Sequence, residues 1–276
     1  VIPPLTVSVL FEPAARASVD LSGATAVVID AIRATTTIVS ALAAGCVEVI
    51  PYRTPEEVLA EAARRPAGTV VTAGERLGER IEELDLNNSP SVMTPERVGG
   101  RSLLLTTTNG TQAILDALRA ETVLVAALAN RRAVARRAAA LKRRIVLFSA
   151  GTVGHVSCED TLVAGAVVEA LVEQCGMRNE ECGLKAKQQP EGGAVSSFRI
   201  PNSAFRNSFS LDDSARVALA AWRGAKDDLA RTFHETWGGA FIARLGLEAD
   251  LAACICLDTT DVVPVACGNP PVITAG

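Results

Sequence analysis

The sequence predicts a layered α/β/α fold around a mostly parallel or mixed sheet, and three observations carry that prediction. Ala26–Asp30, Leu103–Thr107 and Ile145–Ser149 are near-continuous apolar runs of strand length, the mark of strands buried on both faces. Helical patterns separate them, so strand and helix alternate along the chain. Each run then breaks into a polar loop before a helix: Asp30 to Thr37, Thr106 to Thr111, and Ser149 to Asp160. In open α/β sheets ligands bind beyond the carboxyl ends of the strands, so these three loops are expected to share one site.

Leu5–Phe11 reads as a first strand, and the helix after Asp30–Thr37 is expected over Ile38–Ala44. Cys46–Ile50 and Thr69–Ala73 read as further strands, with a helix over 54–64 capped by Thr54 and opened by Pro55. Gly74–Gly78 is then a charged loop carrying Glu75 and Arg76, and 85–90 has the Asn, Ser and Pro chemistry of an irregular segment. Asn109 is a good N-cap for a helix over 112–119; Thr122–Leu128 is a strand, and Arg131–Lys142 a basic helix expected to turn its charges to solvent. The third loop leads into a helix over 161–173. Three regions follow: 1–177, an α/β region carrying the loops; 178–210, an irregular insertion; and 211–276, a helical segment with a final strand at Val262–Val265 closing the same globule. The proline in that strand predicts an edge position, because it cannot donate to a central ladder.

Composition narrows the function. The chain has 276 residues, 49% of them hydrophobic, enough for a sizeable core. A net charge of -4 and an aromatic content of 4% argue against nucleic acid and for a small molecule. No apolar run reaches membrane-spanning length. Seven cysteines in no framework spacing predict free thiols and a cytoplasmic enzyme. Two histidines and no C-x-x-C pair argue against structural zinc.

The loop chemistry is of two kinds. Arg33, the threonines and the glycines suit an anion, a phosphate above all, held at helix N-termini. Asp30, Glu159 and Asp160 are hard oxygen ligands suited to Mg²⁺. His155 reads first as a structural histidine and second as a proton donor. Cys158 lacks the arginine of a cysteine-phosphatase cradle, Ala164 standing in its place.

Six blocks in order resemble the 2-phosphosulfolactate phosphatase, or ComB-like, family: Val28-Ile-Asp-Ala-Ile-Arg-Ala-Thr-Thr-Thr37, Gly74-Glu-Arg76, Asp85-Leu-Asn-Asn-Ser-Pro90, Thr106-Thr-Thr-Asn-Gly-Thr111, Gly151-Thr with Glu159-Asp160, and Asp258-Thr-Thr-Asp-Val-Val-Pro-Val265. Leu84 and Asn87 depart from the family pattern. The resemblance implies a ComB-like α/β fold and a Mg²⁺-dependent hydrolysis of 2-phospho-3-sulfolactate to 3-sulfolactate, a step of coenzyme M biosynthesis. On that footing Mg²⁺ falls to Asp30, Glu159 and Asp160, with Glu75 as a further member. Phosphate falls to Arg33, Thr36, Thr107, Thr108, Asn109 and Gly110, and substrate orientation to Asn88. Asp30, Arg33, Asn109 and Asp160 carry the catalytic expectation. The nucleophile is either a water or a carboxylate such as Asp30. A haloacid-dehalogenase mechanism is set aside, since Ile32 stands where its second Asp belongs.

Two alternatives stay open: a phosphatase for another small phosphate ester, and a non-catalytic phosphometabolite-binding protein. A dinucleotide-dependent oxidoreductase is weakened by the absence of Gly-x-Gly-x-x-Gly after the first strand. The oligomeric state is open, a homodimer included.

Overall fold

A computed structural model describes residues 5–175 and 209–276. The chain runs through β1 (Leu5–Leu10), β2 (Thr25–Ile29), α1 (Ala34–Ala43), β3 (Glu48–Tyr52), α2 (Pro55–Ala62), β4 (Val70–Arg76), β5 (Glu79–Arg80) and β6 (Leu86–Asn87). It continues with α3 (Pro95–Val98), β7 (Ser102–Thr106), α4 (Gly110–Ala117), β8 (Thr122–Ala126), α5 (Arg131–Ala140), β9 (Ile145–Ser149) and α6 (Cys158–Cys175). The last part holds β10 (Phe209–Leu211), α7 (Asp213–Ala225), α8 (Leu229–Glu235), α9 (Trp237–Arg244), α10 (Glu248–Cys254), β11 (Pro264–Cys267) and β12 (Val272–Ala275).

The strands form one twelve-stranded mixed sheet, ordered β10-β1-β9-β2-β8-β11-β12-β3-β7-β4-β5, with β6 beside β4. β10, β1, β9, β2 and β8 are one parallel block, and β3, β7, β4 and β6 a second. The hairpin β11–β12 joins the blocks by antiparallel pairings with β8 and β3. Period-two alternation sorts the side chains: Val27 and Ile29 face α5, α6 and α7, while Ala26 and Val28 face α1 and α4. The opposite side of α1 and α4 meets Val49, Val71, Leu103 and Leu105 of the second block, whose outer face is covered by Val58 of α2. The sheet therefore coils around α1 and α4. That coiling brings the carboxyl ends of β2, β4 and β7 to one corner.

Several boundaries differ from the sequence reading, for physical reasons. α1 starts at Ala34, four residues before the expected Ile38, because the Thr35 and Thr36 hydroxyls donate back to the carbonyls of Asp30 and Ala31 and make β-branched residues acceptable in a first turn. α6 starts at Cys158, so Glu159 and Asp160 belong to its first turn, where the helix dipole favours acidic residues. Gly74, Glu75 and Arg76 complete β4 instead of forming a loop. Arg131 is buried over the Trp222 ring and paired with Asp258 at 3.0 Å, which corrects the expectation of a wholly solvated basic helix; Arg132 and Arg136 do face solvent.

The expected edge strand at Val262–Val265 is corrected as well. β11 is interior, between β8 and β12, and Pro264 is tolerated there as its first residue, because pairing with β8 begins only at Val265. β12 follows it as a strand the sequence reading did not contain. Of the expected 178–210 insertion, residues 178–208 lie outside the described residues, and Phe209 and Ser210 belong to β10, which lengthens the sheet beside β1.

α6 and α7 approach closely at Gly165, where an added Cβ would stand 2.0 Å from the Ala218 carbonyl oxygen and 2.6 Å from the Trp222 Cβ. Gly165→Ala is expected to cost about 1–3 kcal/mol through overpacking, read as a lower urea midpoint, with kcat retained because this contact lies away from the site.

Candidate active site

The site grows from the end of β2. Asp30 is the first residue past that strand, and its backbone is fixed from two sides by Thr35: the backbone N–H donates to Thr35 Oγ1 at 3.1 Å, and the hydroxyl returns to the Asp30 carbonyl at 2.9 Å. Gly110, the first residue of α4, lies against its carboxylate. A Cβ at Gly110 would stand 2.6 Å from Asp30 Oδ2 and 2.4 Å from the Ala34 Cβ, so only glycine allows α4 this close.

The second block brings Glu75 at the end of β4. Its Oε1 accepts the Thr108 N–H at 2.6 Å, and its Oε2 accepts the Gly78 N–H at 2.7 Å and the Thr108 hydroxyl at 3.0 Å. The Gly78 carbonyl in turn accepts from Arg33 Nη2 at 2.9 Å. Arg33 Nη1 donates to Asp250 Oδ2 at 2.7 Å, and both of those side chains are only 1% exposed. One chain of hydrogen bonds thus ties β4, the β7–α4 loop, the β2–α1 loop and α10 together.

The third loop adds Glu159 and Asp160. Asp160 accepts the backbone N–H of Ala31 at 2.8 Å on Oδ1 and that of Gly151 at 2.9 Å on Oδ2, pinning the β2 and β9 loops to each other. Glu159 points toward the N-terminus of α9, where only the missing side chain of Gly238 leaves room for its Oε1.

These groups surround a cleft of about 270 Å³ whose polar walls include Asp30, Arg33, Glu75, Asn88, Thr108, Asn109 and Glu159. Asn88 is buried there, and among the described residues its Oδ1 has no partner. Leu77, Val153, Trp237 and Phe241 make an apolar rim, with the Trp237 and Phe241 rings stacked at 5.6 Å and Trp237 60% exposed. Four expected residues stand behind this wall. Thr36 hydrogen-bonds the Ala31 carbonyl, Thr107 exchanges hydrogen bonds with Thr111, Gly110 makes room for Asp30, and Asp160 holds backbone. His155 is exposed in a neighbouring depression with Cys158.

Asn109 occupies the N-cap position of α4 but its side chain makes no capping bond, which corrects the expectation of a capping amide. Thr107 Oγ1 does that work, accepting the Thr111 N–H at 3.0 Å. Asp250, Trp237 and Phe241 were not among the expected residues. The only sequence signal was the rarity of tryptophan, two in the whole chain.

A family model described as 2-phosphosulpholactate phosphatase matches residues 11–269. The chain belongs to the 2-phosphosulpholactate phosphatase family. Its relatives include proteins named probable 2-phosphosulfolactate phosphatase from Symbiobacterium thermophilum, 35% identical over 89% of this chain and 92% of the relative, and from a Synechococcus strain, 34% identical over 92% and 93%. A protein of the same name from Deinococcus radiodurans is 36% identical over 87% of this chain and 86% of its own. The matched span runs from the end of β1 to the β11–β12 hairpin, so it takes in every described wall of the cleft.

The electrostatics of the cleft are those of acids short of cations. Burial pushes Asp30 up to about 7, helped by repulsion from Glu75 and Glu159 and opposed by the Ala34 amide and Arg33. Burial likewise raises Asp160, with Asp30 and Glu159 adding repulsion, and raises Glu159. Among the described residues no three His, Cys, Asp or Glu side chains form a ready metal cluster. Mg²⁺, however, is commonly held by one or two carboxylates plus water and substrate phosphate. Asp30 and Glu159, all-oxygen donors raised by burial in one cleft, fit that pattern.

A carboxylate raised in the fold stabilises the protein, relative to its ordinary value, below about pH 4, and that contribution is lost as pH rises through 7. The metal-free chain is therefore expected to melt at lower temperature at pH 8 than at pH 5. Millimolar Mg²⁺ should raise the melting temperature more at pH 8, and Asp30→Asn should flatten both dependences; a flat wild-type profile would contradict the buried-acid account.

Proposed function

We propose that the chain is a Mg²⁺-dependent phosphatase for a small phosphate monoester, with 2-phospho-3-sulfolactate as the first candidate substrate and 3-sulfolactate and phosphate as products. The observation that carries this reading is the convergence of Asp30, Glu75 and Glu159 with Arg33 on one cleft beside the N-terminus of α4. A site that only bound a phosphometabolite would gain nothing from three buried carboxylates, which repel an anion. A site that hydrolyses it through a hard cation needs them. Family membership supports the same reaction class and this ester in particular. The ester would place the reaction in coenzyme M biosynthesis, and the free thiols of Cys46, Cys158, Cys254, Cys256 and Cys267 support a reducing, cytoplasmic setting.

In this reading Asp30 and Glu159 hold the Mg²⁺, with Glu75 beside them. When bound, the ion offsets their charge and polarises a phosphoryl oxygen. Arg33 and the Asn109 amide bind the phosphoryl oxygens, and Asn88, whose Oδ1 lacks a partner among the described residues, orients the rest of the ester. Asp160, with both oxygens on backbone amides, fixes the distance between the β2 and β9 loops. The bond from phosphorus to the ester oxygen breaks, water supplies the new oxygen on phosphorus, and the leaving alkoxide takes up a proton. The apolar rim of Trp237 and Phe241 limits bulk water at the mouth, which strengthens each polar contact inside.

Two measurements test this. A panel of small phosphate esters, 2-phospho-3-sulfolactate among them, should show turnover that chelator abolishes and Mg²⁺ restores; full activity in excess chelator would remove the metal from the account. Asn109→Ala should lower kcat by a factor of order 10²–10³, as loss of a donor to developing charge does. Its melting temperature should hardly move, because Asn109 does not cap α4.

A further inference from the structure

We infer that Asp250 is a positioning residue that keeps Arg33 turned toward the phosphate and braces Asn88 beside it, an inference that rests on the phosphatase reading. Arg33 shares its cleft with three carboxylates. An unrestrained guanidinium there would fold onto Asp30, Glu75 or Glu159 and occupy the space an anion needs. Two bonds prevent this: Nη1 to Asp250 at 2.7 Å and Nη2 to the Gly78 carbonyl at 2.9 Å. They commit two of the five N–H donors and leave the others for a ligand.

Asp250 is itself fully engaged. Its Oδ1 accepts the Ser89 hydroxyl at 2.5 Å, the Ser91 hydroxyl at 2.7 Å and the Ser91 N–H at 3.3 Å. Ser89 follows Asn88, so the same carboxylate that holds Arg33 through one oxygen fixes the backbone next to Asn88 through the other. Asp250 is also in the first turn of α10, where its charge is favoured. It touches no part of the cleft surface, so its influence on the reaction runs through these two neighbours.

The test uses the full-length chain with and without Mg²⁺, and compares wild type, Asp250→Asn, Arg33→Lys and the double variant. The readouts are kcat and KM on the best ester of the panel, inhibition by inorganic phosphate, and a thermal melt. Asp250→Asn should lower kcat/KM by roughly 10- to 100-fold, the scale of a displaced binding group, and weaken phosphate inhibition about tenfold. In the Arg33→Lys background the same substitution should cost less than about threefold, because its target is already gone. Additive losses, or an Asp250→Asn protein with wild-type kinetics, would overturn the inference.

Ser89→Ala with Ser91→Ala keeps the ion pair and serves if Asp250→Asn does not fold. It should lower kcat/KM several-fold and also lower the melting temperature, because the buried Asp250 Oδ1 loses two hydroxyl donors, and unchanged kinetics would count against Asp250 as a brace. A wild-type chain that neither binds inorganic phosphate nor hydrolyses any ester would overturn the phosphatase reading and this inference with it. An active wild type with an indifferent Asp250 would overturn this inference alone.

Discussion

The constraint on which the rest of the structure depends is the burial of four carboxylates where the strand ends meet. Asp30, Glu75, Glu159 and Asp160 are 7%, 6%, 3% and 2% exposed, and a buried charge without partners costs far more than any single packing contact contributes. Each acid meets that constraint differently. Asp160 takes two backbone amides, Glu75 takes two amides and a hydroxyl, and Glu159 lies against Gly238 at a helix N-terminus. Burial pushes Asp30 up to about 7 against the Ala34 amide and Arg33, and it raises Asp160 well above the ordinary carboxylate range in spite of its two amides. Strain of this electrostatic kind concentrates where chemistry is done.

The architecture explains how acids from such distant strands come together. In a flat sheet, β2 and β4 would lie apart, separated by β8, the β11–β12 hairpin, β3 and β7. Coiling around α1 and α4 removes that separation, and Gly110 permits the final approach between α4 and Asp30. The hairpin is therefore more than a closing element: by reversing direction between the two parallel blocks it allows each to deliver its carboxyl ends to the same corner. The hydrogen-bond chain from Thr108 through Glu75, Gly78 and Arg33 to Asp250 then locks that corner.

How much of this was legible in the sequence follows from the range of the interactions. β9 was readable to the residue, because four consecutive buried apolar positions ending in a serine need no distant partner to be recognised. The polar loops were readable for the same reason. The starts of α1 and α6 were not, since Thr35, Thr36, Cys158 and Asp160 are poor interior helix formers, and the Thr35 and Thr36 hydroxyls and the Asp160 carboxylate find their partners only in the folded loops. β12 and the interior place of β11 depend on pairing with strands far away in sequence. Asp250 was illegible because an acid in the first turn of a helix ordinarily faces water; its meaning comes from an arginine 217 positions earlier.

Within the site itself, the same loop chemistry served two ends that sequence could not separate. A helix start rich in Thr and Asn reads as a capping motif whichever residue does the capping. Here the Thr107 and Thr111 hydroxyls exchange bonds with each other's backbone and satisfy the start of α4. The local turn is thereby closed without Asn109, and its amide faces the cleft with no structural duty at the cap. An analogous division holds between the two adjacent acids of α6: Asp160 is consumed by the fold, and for that reason its neighbour Glu159 can be held at the cleft wall. In both pairs one residue carries the stability of the loop so that the residue beside it remains free to meet a ligand.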